Sequence, residues 1–170
     1  MSSLIKIFYN NHIFHIYTYK NSLYPSFQNR TSSIATPADS GSAMTVGAVK
    51  YSDDTLESFS SAGPTDDNRP KPEICGPDGT SSEQFNPDAF YGTSASAPHV
   101  AGAAALLLEK YPTLSVEQLK VKLTNLARMN SNYSTANLCG AGVLSLLETN
   151  SFVHMNDTTA STGISTFSSR

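Results

Sequence analysis

Residues 92–102 read Gly92-Thr93-Ser94-Ala95-Ser96-Ala97-Pro98-His99-Val100-Ala101-Gly102 and run straight into three alanines and three leucines at 103–108. A loop that ends in small hydroxyl residues thus meets a helix with no polar side until Glu109. Pro98 falls in the opening turn, where a missing N–H costs little. A helix starting near Ser94 and running to about Lys110 sets this serine among unpaired backbone N–H groups, at the positive end of the helix dipole. A nucleophilic serine builds an oxyanion beside itself and needs such an environment. A helix apolar on all its sides is expected in the middle of a domain, covered all round.

Outward from this stretch, residues 43–49 form a short apolar run between Asp39-Ser40-Gly41 and Ser52-Asp53-Asp54. Length and β-branched content predict a buried strand of a parallel sheet. Residues 13–19 alternate and predict a strand, followed by a polar loop over 20–33. Residues 58–86 are dense in Ser, Pro, Gly and Asp, which predicts loops. A second helix opens at Ser115, with Gln118 three residues on completing a capping box. Val116, Leu119, Leu123 and Leu126 recur at helical spacing, while Glu117, Lys120 and Lys122 face away. Gly140-Ala-Gly-Val-Leu reads as a glycine turn feeding a short helical or strand segment, and the Ser/Thr/Asn-rich tail beyond Asn150 reads as disordered. Strands followed by helices, one entirely apolar, imply an α/β fold: a three-layer sandwich with a mainly parallel sheet and helices on both faces.

The chain has 170 residues, sized for one domain, with 39% hydrophobic and 15% charged residues. Its net charge of −3 gives no electrostatic reason to expect nucleic acid as a partner, and no apolar run approaches a membrane span. The first residues are broken by Asn10, Asn11 and His12 and lack a small-residue cleavage site, so no signal peptide is read. Cys75 and Cys139 cannot form a disulfide framework or a metal site by themselves; two buried free thiols are expected in preference to one bridge. Three glycosylation-type triplets, at Asn29, Asn132 and Asn156, leave the compartment open.

The stretch around Ser94 resembles the serine motif of the subtilisin-like serine proteases, the subtilases. The α/β-hydrolase elbow is rejected, because it needs glycine two residues after the nucleophile and Ser96 stands there. Further matches occur in family order: Thr45-Val-Gly-Ala-Val49, Phe59-Ser-Ser-Ala-Gly-Pro64, Lys71-Pro-Glu-Ile74 with Gly76-Pro-Asp-Gly79, Leu114-Ser-Val-Glu-Gln-Leu-Lys120, and Gly140-Ala-Gly-Val143. The resemblance assigns residues 34–150 to the C-terminal part of a subtilase peptidase domain. Residues 1–33 are then an N-terminal segment holding a residual strand and loop, and residues 151–170 a tail. It implies peptide-bond hydrolysis through a Ser94 acyl-enzyme, with the backbone N–H of Ser94 on the oxyanion and proteins or peptides as substrates. For a full-length member it implies a secreted or endomembrane location.

Family order places the triad as Asp, His, Ser, yet no Asp-Ser/Thr-Gly or His-Gly-Thr motif precedes Ser94. His12 and His15 lie among aliphatic and aromatic residues with no glycine near, and Asp39 belongs to the loop before the buried strand. His99 follows Ser94 by five positions on the same helix and points away from its attack direction, so a packing and hydrogen-bonding role is expected. Asn21 is the candidate oxyanion asparagine and Asn29 its rival; neither follows Ala-Gly as the family motif would require. No carboxylate cluster matches a calcium site, so no cofactor is assigned, calcium being implied by the resemblance only. The expectation is an N-terminally truncated domain whose missing N-terminal half would carry the Asp and His. The alternative is a catalytically inactive remnant, at most a binding module. In either case, strand edges and one face of the 103–108 helix would lack cover.

Overall fold

The computed structural model describes residues 2–9, 12–19, 30–85, 89–129 and 136–147. Its first strands, β1 (Ser2–Tyr9) and β2 (His12–Tyr19), pair antiparallel, with Ser2 opposite Tyr19 and Tyr9 opposite His12. The predicted strand is β2; β1, which the sequence reading did not separate from it, makes the pair a hairpin. Asn21 and Asn29, most of the predicted 20–33 loop and the whole 151–170 tail lie outside the described residues.

The centre of the fold is a parallel pair. Strand β3 (Val46–Lys50) runs beside β4 (Ile74–Asp78), with Val46 opposite Ile74 and Lys50 opposite Asp78. Strand β3 is the predicted one, shifted toward its C-terminal end. Strand β4 corrects the expectation of loops through 58–86. Only Ile74 in it is β-branched, and Gly76 and Pro77 disguise the rest. What makes the strand is partners far away in sequence. On its outer edge the Cys75 N–H donates to Gly142 O at 2.9 Å, and the Leu144 N–H to Cys75 O at 2.8 Å. Residue 77 faces that same edge beyond these bonds, so proline's missing N–H goes unneeded there.

The outer edge of β3 is occupied as well. Glu57 N–H donates to Ala48 O at 3.0 Å, Lys50 N–H to Thr55 O at 2.8 Å, and Ala48 N–H to Ser60 Oγ at 3.0 Å. The expected bare strand edges are therefore not found on this pair; the chain folds back to cover both.

Neighbouring side chains along β4 point to opposite faces and seed two small cores. On one face Ile74 packs with Val100, Ala103 and Leu107 of α1 (Thr93–Lys110) and Leu123 of α2 (Val116–Asn125). On the other, Cys75 and Val49 pack with Val143 and with Cys139 at the end of the short α3 (Ala136–Cys139). Cys75 and Cys139 are joined in a disulfide spanning 64 positions, with Cα atoms 5.0 Å apart. This overturns the expectation of free thiols. Both cysteines are buried, as expected, but strand and turn bring them face to face. Gly47 opposite keeps the space open: a Cβ there would stand 2.7 Å from Cys75 Sγ.

Helix α2 begins at Ser115 with the predicted reciprocal cap: Gln118 N–H donates to Ser115 Oγ at 3.3 Å, and Ser115 N–H to Gln118 Oε1 at 2.8 Å. Leu119, Leu123 and Leu126 turn inward, while Val116 is left 62% exposed. Helix α1 departs from expectation in one respect. Its inner flank is buried, but Leu106 is 55% and Leu108 39% exposed, and Ala101 and Ala105 lie on the surface with them. Among the described residues, the sheet and helices cover one side of α1 and leave Ala101, Ala105, Leu106 and Leu108 exposed on the other.

Candidate active site

The loop after β4 reaches α1 through a short antiparallel ladder, β5 (Thr80–Ser81) with β6 (Ala89–Phe90). The chain then passes Tyr91 and enters the helix at Gly92, whose φ of 134° and ψ of 158° suit glycine and strain an L side chain. Gly92 O accepts from Ala95 N–H at 2.8 Å and from Ser96 N–H at 3.4 Å, closing the first turn. Ser94 is the second residue of that turn and is exposed. Among the described residues, neither the N–H groups of Thr93 and Ser94 nor the Ser94 hydroxyl has a hydrogen-bond partner. Two backbone donors and a hydroxyl therefore stand free at the positive end of an 18-residue helix.

The next turn is packed for position. Ala95 and Ser96 are buried, and β4 approaches so closely that a Cβ on Gly76 would stand 2.6 Å from Ser96 O. This contact requires glycine at 76, and of the small residues at 95–97 it is Ala95 and Ser96 that are buried, while Ala97 is exposed. Behind the turn, the Gly92 N–H donates to Asp78 Oδ1 at 2.7 Å. Asp78, the last residue of β4, is fully buried, and sequence reading did not single it out. The only signal was an acidic residue in a Pro-Asp-Gly string, which reads as a turn.

His99 is exposed, and its Nδ1 lies 2.7 Å from Ala95 O, one turn back along the same helix. It makes the expected hydrogen bond but no interior packing. The oxyanion candidates Asn21 and Asn29 fall outside the described residues, so only Ser94 of the sequence-derived site residues can be placed.

Away from the serine, Thr36, Thr65 and their neighbours Ile34 and Ala35 border a polar cavity of about 630 Å³. It holds Asp39, Asp66 and Asp67 together with Arg69, whose Nε donates to Asp67 Oδ2 at 2.7 Å. The guanidinium already stands among these carboxylates. Among the described residues no group of three or more His, Cys, Asp or Glu side chains could hold a metal ion. None of the described helices is long and apolar enough to cross a membrane.

The sequence profile described as the subtilase family matches residues 10–142. Subtilisin DY of Bacillus licheniformis is 43% identical over 98 residues, covering 55% of this chain and 33% of the relative. Subtilisin E of Bacillus subtilis (strain 168) is 40% identical over 106 residues, covering 60% of this chain and 26% of the relative. The solved structure of the Clostridium perfringens CspB protease superposes with a TM-score of 0.59 at 28% identity, over 70% of this chain and 28% of that one. The chain thus spans about a quarter to a third of the length of these relatives. A free serine at the start of a buried-turn helix, carried on a parallel β3–β4 pair and matched over most of the chain, makes this protein a member of the subtilase family of serine endopeptidases.

Proposed function

We propose that this chain carries the nucleophile of a subtilisin-like endopeptidase and that Ser94 attacks the peptide carbonyl of protein or peptide substrates. The observation that carries the reading is the placement of Ser94: exposed, on the first turn of α1, with its own N–H uncommitted. As the Oγ–carbon bond forms, the hydroxyl proton passes to a base and the Ser94 N–H donates a hydrogen bond to the oxyanion. The amine then leaves with that proton, and water releases the acyl group by the same route.

His99 is not read as that base: it shares no hydrogen bond with Ser94, and its Nδ1 lies 2.7 Å from Ala95 O of its own helix. The base and the carboxylate that orients it come from polypeptide outside these 170 residues, and hydrolysis requires that polypeptide together with this chain. Its docking would also cover the open flank of α1, which supports the requirement.

A fluorophosphonate probe tests the nucleophile. With its base absent, Ser94 keeps only the assistance of the helix-start N–H groups, so slow labelling of the purified chain that disappears in Ser94→Ala is the expected result. Absence of labelling would overturn it and favour a non-catalytic binding module. Casein tests the missing base: the chain alone is expected to leave casein intact. Robust hydrolysis that Ser94→Ala abolishes would show a base within these residues.

A further inference from the structure

Asp78 is a buried carboxylate that the chemistry above does not use. It lies fully inside the protein at the end of β4. Its Oδ1 accepts from the Gly92 N–H at 2.7 Å, its Oδ2 is buried with no partner, and its carbonyl O accepts from Tyr51 N–H at 3.0 Å. A half-satisfied buried carboxylate is costly, and an apolar side chain would fill the same place without that cost. The compensating contact is with the peptide that starts the Ser94 turn.

We infer that Asp78 is the positioning residue for the nucleophile, fixing the Gly92 peptide and thereby the direction in which Ser94 and its N–H point. The inference rests on the reading of Ser94 as nucleophile. Helix α1 lacks the ordinary device for anchoring its start: its N-cap is glycine, with no side chain to bond the first turn. The φ of 134° at Gly92 is a conformation that L side chains rarely adopt, so glycine is needed there and the peptide relies on hydrogen bonds to hold it. On its carbonyl side Gly92 is held by Ala95 and Ser96 N–H, which belong to the helix it starts. On its N–H side it is held by Asp78, which belongs to a strand bonded along both edges. Of these hydrogen bonds, only the second ties the Gly92 peptide to the sheet.

The test compares Asp78→Asn, whose amide oxygen can still accept from Gly92, with Asp78→Ala, which cannot. Two quantities are read on the 170-residue chain: hydrogen exchange of the Gly92 amide and the rate of fluorophosphonate labelling at Ser94. In Asp78→Ala, Gly92 exchange is expected to rise and labelling to fall by about 10- to 100-fold, the loss of one charge-assisted hydrogen bond. Ala103 and Leu107 amides should keep their protection, and Asp78→Asn should stay within about 3-fold of the parent on both readouts.

Should Asp78→Ala fail to fold, Asp78→Val fills the space on a strand end without an acceptor and carries the same expectation. Unchanged Gly92 exchange without the acceptor overturns the inference. So does faster exchange with unchanged labelling, because Ser94 would then not depend on the tether. If the parent chain is not labelled at all, the nucleophile reading fails and the positioning role fails with it, whereas Gly92 exchange still reports the bond itself.

Discussion

The two faces of β4 are held by different means. On the α1 face, Ile74 meets Val100, Ala103, Leu107 and Leu123, a broad apolar contact made by packing alone. On the opposite face, Val49, Cys75, Cys139 and Val143 make a much smaller cluster, fastened by a covalent bridge. The larger core is also the unfinished one, because α1 keeps its outer flank bare. Cross-linking stands in for area where little area exists, and packing suffices where a long helix supplies it.

Breaking the covalent side should have the largest effect. Closing a loop of 64 positions restricts the unfolded chain by about 4 kcal/mol in the chain-entropy account. Urea unfolding of Cys75→Ala/Cys139→Ala against the parent should show a loss of this order. A loss below about 1 kcal/mol would mean that the small core holds without its bridge. On the packed side, Leu107→Ala should cost about 3 kcal/mol, the usual result of emptying a buried leucine site. Leu106→Ala, one position away on the bare flank, should stay within about 0.5 kcal/mol. Equal effects at these two sites would show that the flank is covered in solution, for instance by a second copy of the chain.

The α1 face was the legible one. A run of alanine and leucine after a proline in the first turn specifies a helix by local sequence, and Ser115 with Gln118 specifies the next. Ser94 was legible for the same reason, since its neighbours on both sides belong to one contiguous motif. The disulfide face was not. Ile74-Cys-Gly-Pro-Asp78 has the composition of a loop, and it becomes a strand through Val46–Lys50 on one side and residues 142–144 on the other. Cys75 and Cys139 meet only after those pairings exist, so spacing alone could not decide between thiols and a bridge. Asp78 was hidden likewise. Its importance comes from a bond to Gly92, 14 positions on, which no turn signal announces.

A smaller effect should come from the cap that orients α2 against the α1 face. Ser115→Ala removes the acceptor for Gln118 N–H and should cost about 1 kcal/mol by thermal unfolding. Ser115→Asp should retain most of the parent's stability, because a carboxylate also caps and favours the helix N-terminus. If both variants unfold at the parent's midpoint, α2 is held by Leu119, Leu123 and Leu126 alone, and packing on this side is stronger than the cap.

The smallest effect belongs to the loop that leads into β4. The Arg69 guanidinium, and after it the Thr65 hydroxyl, hydrogen-bond Asp67 and hold its carboxyl at about 2, below the ordinary 3.8. A carboxylate depressed in the folded state stabilises at pH above its unfolded value, and that contribution disappears as pH falls through the folded value. The window is therefore from about pH 4 down to about pH 2. The group is solvent-exposed, so the ion pair is screened and the change should be slight. Asp67→Asn should flatten the fall of the urea midpoint across this window and lower that midpoint only slightly at neutral pH. A carbon-detected titration of the parent chain should find the Asp67 carboxyl near 2; a midpoint near 3.8 would mean that Arg69 turns to Asp39 or to solvent. Neither result would move the contrast between the two faces of β4, because exposed charge contributes little beside a closed loop of 64 positions or a buried leucine.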